Sequence, residues 1–260
     1  MLLQHKNAVI YGAGGAIGGA VARTFAREGA RVFLAGRTLV GVAGVAAKIG
    51  AFGGIAEGAQ VDAMNERAIE EHLDAIVRKA GRIDISFNAV GTQETQGVPL
   101  VDLSLEDLLL PITTLSTTVF LTSRAAGRRM SQQRGGVILT INAPAGHEAG
   151  ASGFGPACAA VLTISRTLAA ELGPCGVRVL CLQPNALPES AALRRAVSQQ
   201  AGGSNRSPGD QLAAMAGETL MGRLPTLEEV ANVAAFVASD RASAMTGTTV
   251  KINCGAQVDN

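Results

Sequence analysis

The chain has 260 residues, a length that suits one α/β domain with a sizeable core, although two small domains would also fit. Its 22 basic and 21 acidic side chains leave a net charge of +1, so we expect neither nucleic acid nor a membrane surface as a partner. Because tryptophan is absent and tyrosine occurs once, the core must consist mainly of Ala, Val, Leu and Ile.

The cysteines and histidines bear on compartment and metal binding. The cysteines form no Cys-x-x-Cys pair, and His5 and Lys6 interrupt the apolar start, so no signal peptide is predicted. Both features favour free thiols in a reducing cytoplasm. His5, His72 and His147 are far apart and match no ligand motif, so no metal site is predicted. No apolar run approaches the roughly 20 residues that span a bilayer.

The stretch AVIYGAGGAIGG, residues 8–19, predicts a buried strand, a tight turn and the start of a helix. Glycine tolerates positive φ and lets a ligand phosphate approach the backbone. The free N–H groups and positive dipole end of the helix would then favour an anion. A turn that only packs strand against helix is the alternative. The backbone predicted to cradle a pyrophosphate comprises Gly12, Gly14, Gly15, Ile17 and Gly18.

The spacing of Gly12, Ala16 and Gly18 resembles the TGxxxGxG motif of the short-chain dehydrogenase/reductase family. Tyr11 replaces the family's threonine and Ala16 its middle glycine, so we expect a slightly altered loop. The resemblance runs over essentially the whole chain. It implies one doubly wound Rossmann domain over residues 1–260, with a parallel sheet of about seven strands and helices on both faces. It also implies a nicotinamide dinucleotide, a small-molecule substrate and a homotetramer or homodimer.

A second buried strand is predicted over residues 31–35, and Arg37 follows it. At this place in a Rossmann domain a carboxylate accepts a hydrogen bond from the ribose 2′-hydroxyl of NAD(H), whereas an arginine can pair with the 2′-phosphate of NADP(H). Because no carboxylate is present, Arg37 favours NADP(H) over NAD(H). A solvated arginine at the start of a helix is the alternative.

The third and fourth predicted strands end in residues that match the adenine side of the family's cleft. Asp62 falls where the family carries an aspartate that contacts the adenine, although an Asp that caps the next helix is an equally good interpretation. The fourth strand, residues 83–87, precedes Asn88 and Gly91, which are in register with the family's NNAG motif.

A long helical region is predicted over residues 104–130, with a break or kink at Pro111. Leu115 in this region falls where the family carries a catalytic asparagine. The fifth strand is predicted over residues 136–142, and Ala143 follows it at the position of the family's serine.

The next helix resembles the family's Tyr-x-x-x-Lys helix, with Phe154 at the tyrosine position and Cys158 at the lysine position. In the family the tyrosine hydroxyl exchanges the proton of the substrate alcohol, and the lysine lowers its pKa and holds the nicotinamide ribose. Alignment error cannot restore this pair, because Tyr11 is the sole tyrosine of the sequence. The resemblance therefore implies a divergent member with a degenerate active site.

Three polar residues near these positions are candidates for the missing chemistry. Because histidine side chains ordinarily titrate near neutral pH, His147 could donate a proton, or it could be an exposed loop histidine. Glu148 could orient it or be solvated, and Ser152 lies two residues before Phe154. Cys158 could be a reactive thiol, although a small residue that packs a helix is the favoured interpretation.

The carboxyl third completes the resemblance. Pro184 follows the sixth predicted strand, where the family has a Pro-Gly before its nicotinamide loop. Residues 189–217 correspond to the family's substrate lid, with a disordered surface loop as the alternative. Thr226 and Glu229 have the spacing of a capping box, and residues 248–253 predict a seventh strand.

Three functions agree with these features. The first is an NADP(H)-dependent oxidoreductase that acts on a carbonyl or alcohol compound with a non-standard proton donor. The second is a non-redox enzyme, such as a lyase, epimerase or cyclase, in the same pocket. The third is a catalytically silent dinucleotide-binding protein. We favour the first, because the cofactor side matches the family better than the catalytic side does.

Overall fold

The structure is a computed structural model that describes residues 1–144, 150–201 and 207–256. Its centre is one sheet of seven parallel strands in the order β3-β2-β1-β4-β5-β6-β7. The chain therefore begins in the middle of the sheet and winds outward in both directions, which confirms the predicted doubly wound Rossmann sheet. The strands are β1 (Asn7–Tyr11), β2 (Arg31–Gly36), β3 (Ile55–Gln60), β4 (Ile85–Asn88), β5 (Gly136–Ile141), β6 (Val177–Pro184) and β7 (Thr249–Ile252).

Helices cover both faces of the sheet. The side chains of β1 alternate, so that Ile10 points into a core with α1, α2 and α8, whereas Val9 points into a second core with α3, α4 and α5. Burial of each such side chain contributes about 1.5–3 kcal/mol. In the described part of the chain the helices are α1 (Ala16–Arg27), α2 (Leu39–Gly50), α3 (Glu66–Ala80), α4 (Leu105–Gln133), α5 (Phe154–Leu172), α6 (Ala191–Ala201), α7 (Pro208–Gly217) and α8 (Leu227–Ala238).

The predicted break at Pro111 is wrong, because α4 is one helix of 29 residues that contains this proline. Ser104 caps the helix by accepting a hydrogen bond from the backbone N–H of Asp107 at 3.1 Å. Pro111 lies in the second turn, where it removes one backbone hydrogen bond. The cost of about 3 kcal/mol is offset because the rest of the helix buries side chains such as Val119 and Met130.

The segment predicted as the substrate lid carries two helices, α6 and α7, on either side of residues outside the described part of the chain. The alternative of a disordered loop is therefore wrong where this segment is described. Ser207 and Asp210 form a capping box at the start of α7. The predicted capping box of Thr226 and Glu229 is confirmed at the start of α8. No helix in the described ranges has the length and apolarity needed to cross a membrane.

Candidate active site

The turn between β1 and α1 is as tight as its glycines predict. Gly12 has φ of +72°, and a Cβ there would lie 2.5 Å from the carbonyl oxygen of Ala89. A Cβ on Gly18 would lie 2.4 Å from the carbonyl oxygen of Gly12. Real Cβ atoms do not approach backbone oxygens this closely, so both positions require glycine for the backbone to pack.

The start of α1 lies at the surface and carries no side-chain cap. Gly15 is the N-cap and supplies no side-chain acceptor, and no acidic residue lies in the first turn. Gly14 and Gly15 are exposed, whereas Ile17 packs its side chain against the core. The first N–H groups of a helix have no partner within it, and together with the helix dipole they favour an anion. These residues therefore fit the pyrophosphate of a dinucleotide.

Arg37 lies at the end of β2 beside this turn. Its side chain is exposed, and its carbonyl oxygen accepts a hydrogen bond from the side-chain amide of Gln60 at 3.1 Å. The next helix, α2, has no acidic residue in its first turn. It approaches the glycine turn closely, because a Cβ on Gly14 would lie 3.3 Å from the Cα of Gly41. An arginine rather than a carboxylate thus borders the turn.

Asp62 is exposed after β3, and its Oδ1 accepts a hydrogen bond from the backbone N–H of Met64 at 3.0 Å. The interpretation of Asp62 as a helix cap is wrong. Asn65 is the residue next to the helix, and it caps α3 by accepting from the backbone N–H of Ala68 at 3.1 Å. The predicted contact of Asp62 with an adenine stays a prediction.

Asn88 and Gly91 follow β4, and they differ in what surrounds them. Asn88 is buried, donates to the hydroxyl of Thr122 at 2.9 Å and accepts from the backbone N–H of Val90 at 3.0 Å. It therefore fixes the loop rather than presenting its amide to a ligand. Gly91 is exposed, and a Cβ there would meet no atom within 4 Å. The open space beside Gly91 leaves room for a ligand.

Four of the predicted binding segments meet at one edge of the sheet, because β1, β2, β4 and β6 are parallel and end there. Tyr11 is in register with Ala35 on one side and Asn88 on the other. Pro184 ends β6 and is buried beside Ile252 of β7. Ligands of open parallel sheets bind at this edge. The position and the cradle of the glycine turn both fit a nicotinamide dinucleotide.

On the other side of this edge, Ala143 follows β5, and Phe154 and Cys158 lie one turn apart on α5. Asn142 links these segments, because its amide donates to the carbonyl oxygen of Cys158 at 2.8 Å and its own Oδ1 accepts from the backbone N–H of Ala143 at 2.8 Å. Burial raises the pKa of the Cys158 thiol to about 11. The thiol is therefore protonated at neutral pH, as a packing residue would be, and Leu115 on α4 supplies no polar group.

The other predicted proton donors are only partly described. Ser152 has φ of +49°, is 8% exposed, and donates its hydroxyl proton to the carbonyl oxygen of Thr95. This bond holds the loop before α5 and occupies the proton. His147 and Glu148 lie outside the described residues. Tyr11 is fully buried in the core beside α3 and α4, where burial raises the pKa of its hydroxyl far above the usual range.

Glu94, which no sequence motif indicated, lines a cavity of about 400 Å³ between the loop after β4 and α6. Burial raises the pKa of Glu94, while a hydrogen bond from Gln96 at 3.4 Å and the charge of Arg195 oppose this rise. Leu110 of α4 also lines the cavity. A signal was present, since Glu94 follows Asn88 by six residues on a loop at the ligand edge of the sheet.

Comparison with known proteins agrees with this architecture. A family model described as enoyl-(acyl carrier protein) reductase matches residues 12–257. The chain belongs to the short-chain dehydrogenase/reductase family. Among curated members, it is 30% identical over 258 residues to the 3-oxoacyl-(acyl-carrier-protein) reductase FabG of Escherichia coli (strain K12), and the match covers 98% of each chain.

Two solved structures of short-chain dehydrogenases/reductases show the same fold. NAD+-bound xylitol dehydrogenase matches with a TM-score of 0.91 and 28% identity, covering 97% of this chain and 99% of that one. A protein described as an NAD(P) dependent gluconate 5-dehydrogenase from Beutenbergia cavernae, with NADP bound at low occupancy, matches with a TM-score of 0.86 and 27% identity, covering 98% and 97%. The chain is therefore an oxidoreductase of this family with a nucleotide-binding Rossmann domain.

Proposed function

We propose that this protein is an NADP(H)-dependent oxidoreductase that acts on a carbonyl or alcohol compound and takes its proton from a group other than the family's tyrosine. The observation that carries the cofactor preference is Arg37. It is exposed at the end of β2, next to the glycine turn, with no acidic residue in the first turn of α2. A guanidinium there would form charge-assisted hydrogen bonds with a 2′-phosphate.

The start of α2 supports the same preference. Thr38 is the N-cap of α2 and makes no side-chain hydrogen bond to its first turn, so the N–H groups of that turn are not capped by it. The positive end of the helix dipole would add to the attraction of Arg37 for a phosphate. A carboxylate that would hold a ribose 2′-hydroxyl, and repel a 2′-phosphate, is absent from residues 36–42.

On the catalytic side we propose a degenerate site. The positions that match the family's serine, tyrosine, lysine and asparagine carry Ala143, Phe154, Cys158 and Leu115. When bound, the nicotinamide supplies or accepts a hydride. This chain's residues would hold it at the sheet edge, exclude water and exchange one proton with the substrate oxygen. Of the donors predicted from the sequence, Ser152 is disfavoured, because its proton already bonds to Thr95.

The cofactor proposal is tested by titrating the purified protein with NADPH and with NADH, exciting the reduced nicotinamide directly because the chain has no tryptophan. We expect tighter binding of NADPH. Arg37→Gln should weaken NADPH binding roughly tenfold or more, since a hydrogen bond to a charged group contributes about 1.5–3 kcal/mol, and should leave NADH unchanged. Arg67→Gln, on the exposed face of α3, is the matched control. Equal affinities for the two cofactors would contradict the proposal.

We further propose that the protein is a homotetramer or homodimer and that it is cytoplasmic. We also propose that residues 189–217 form its substrate lid. The exposed leucines Leu105 and Leu109 on α4 support an association between copies. The four cysteines are free, as in a reducing compartment. Light scattering of the purified protein tests the assembly. A mass that corresponds to the monomer at micromolar concentration would contradict it.

A further inference from the structure

The cavity that Glu94 lines has walls of opposite charge. Glu94 and Thr95 come from the loop after β4, and Arg195 comes from α6 in the proposed lid. Arg195 also borders a second cavity of about 420 Å³, together with Arg194 and Ser198 of the same helix. One carboxyl group and one guanidinium thus face a space large enough for a small substrate.

The loop that lines this space is hydrogen-bonded to the chain just before α5, the helix on which the family has its tyrosine. The carbonyl oxygen of Thr95 accepts the hydroxyl proton of Ser152, and the backbone N–H of Gly97 donates to the carbonyl oxygen of Gly150 at 3.0 Å. The loop that carries Glu94 is therefore bonded at two points to the chain just before Phe154. Glu94 also interacts electrostatically with Cys158, one turn further along α5.

We propose that Glu94 exchanges the proton with the reacting oxygen and that Arg195 holds an anionic group of the substrate, which is then a carbonyl or alcohol compound that also carries a carboxylate or phosphate. The inference rests on the proposed oxidoreductase function. In the direction of reduction, the O–H bond of Glu94 breaks and its proton goes to the carbonyl oxygen, whose carbon receives the hydride of a reduced nicotinamide. Glu94 is left as a carboxylate and regains a proton from solvent.

The charges support a protonated Glu94 when such a substrate is bound. Burial disfavours the carboxylate, and the charge of Arg195 partly opposes this effect. An anionic substrate group that pairs with Arg195 would neutralise the positive charge that lowers the pKa of Glu94. It would also place a second negative charge near Glu94, so the pKa of Glu94 should rise further. Binding of an anion at Arg195 would thus prepare the acid that the reduction needs.

The titration of Glu94 tests this without turnover. The protein is labelled with carbon-13 at the glutamate side-chain carboxyl, and the resonance missing from Glu94→Gln is assigned to Glu94. We expect the midpoint of the Glu94 titration to lie above that of a free glutamate, about 4.3. The midpoint should rise in Arg195→Gln. In the wild type it should rise on addition of acetoacetate but not of its neutral ethyl ester. An ordinary midpoint that none of these changes moves would overturn the inference.

Activity supplies the second readout. We expect Glu94→Gln to bind NADPH as tightly as the wild type but to reduce kcat about 100-fold or more. The control Glu171→Gln, at an exposed residue near the end of α5, should leave kcat unchanged. Arg195→Gln should raise the KM for acetoacetate about tenfold and leave the KM for ethyl acetoacetate unchanged. A Glu94→Gln enzyme as active as the wild type would overturn this inference but would leave the proposed oxidoreductase function intact. A wild type that binds NADPH but reduces no carbonyl compound would contradict the proposed function and, with it, the assigned proton transfer.

Discussion

Gly18 controls the shape of the dinucleotide turn through a single close approach. Its Cα lies against the carbonyl group of Gly12, which is itself held at positive φ and packed on Ala89. The two glycines therefore depend on each other, and the turn keeps this conformation, in which the N–H of Gly15 donates to the carbonyl oxygen of Gly12 at 3.0 Å, only while both stay free of side chains.

A Gly18→Ala substitution should damage both stability and cofactor binding. The new Cβ would lie 2.4 Å from a backbone oxygen, so the turn must move, at a cost of about 1–3 kcal/mol in the free energy of unfolding. We expect NADPH affinity to fall at least tenfold in the fluorescence titration. Gly44→Ala in α2, where a Cβ meets nothing within 4 Å, is the control and should stabilise by up to about 1 kcal/mol. An unchanged NADPH affinity would show that the turn is not the binding site.

Residues whose role is local could be predicted from the sequence, and residues whose role depends on distant chain could not. The glycine turn is readable because its demands fall within a few residues. Asp62 and Asn65 are both good caps by residue type, and only the start of α3 at Glu66 decides between them. Glu94 had no local signal beyond its loop, because the guanidinium of Arg195, which lines the same cavity, lies on α6, about 100 residues away.

Among the elements, β6 and α8 are joined by one long side chain. Arg178 of β6 donates to the carbonyl oxygens of Val237 at 2.8 Å and Ser239 at 2.9 Å, and to that of Met245 at 3.2 Å. The last carbonyls of a helix have no partner within it, and here a cation satisfies them at the negative end of the helix dipole.

Replacement of Arg178 by Met should destabilise the protein. It would leave the buried carbonyl groups of Val237 and Ser239 without this donor, at a cost of about 1–3 kcal/mol for each group left unsatisfied. For the two groups together, urea denaturation should show a loss of about 2–6 kcal/mol in the free energy of unfolding. Arg67→Met, whose exposed ion pair with Glu71 contributes little, should change it by less than about 1 kcal/mol. A similar small effect for Arg178→Met would contradict this role.

His72 on α3 gives the stability a dependence on pH. Its Nε2 is buried and has no hydrogen-bond partner among the described residues, and burial lowers its pKa below 6.5. Since the unfolded chain takes up this proton more readily, the contribution of His72 is fully present above pH 6.5 and is lost as the pH falls. Chemical denaturation at pH 7.5 and pH 5.5 should show a smaller loss in His72→Leu than in the wild type. His5→Gln, at an exposed histidine, should lose as much as the wild type. A pH dependence unchanged by His72→Leu would exclude this histidine as its source.

Helix and strand positions followed from hydrophobic pattern, whereas the behaviour of single elements depended on packing. Pro111 predicts an interruption by its own chemistry, yet α4 continues because its buried side beyond the proline outweighs one lost hydrogen bond. The polar composition of the segment before Thr226 predicts a surface loop, and the resemblance to the family implies a substrate lid there. Its described parts form α6 and α7, with α7 stabilised by the capping box of Ser207 and Asp210.

At the scale of the whole molecule, strand order and function are connected. Because the chain starts at β1 and winds to both sides, β1 and β4 are neighbours in the sheet, and the space above their carboxyl ends receives loops from both halves. One half supplies the glycine turn and Arg37. The other half supplies α5, the proposed lid with Arg195, and the loop with Glu94, which lines the same cavity as Arg195. This separation would allow the catalytic side to change while the cofactor side is kept, as the proposed degenerate site requires.

Hydride transfer without the family's tyrosine is the central proposal for this protein. We would incubate the protein with NADPH deuterated at the transferable C4 position and a panel of 3-oxo acids and their esters, and analyse the products by mass spectrometry. We expect an alcohol that carries one deuterium on the former carbonyl carbon, with the acids preferred over the esters. Bound NADPH with no labelled product from any compound, or a product formed without the label, would contradict it.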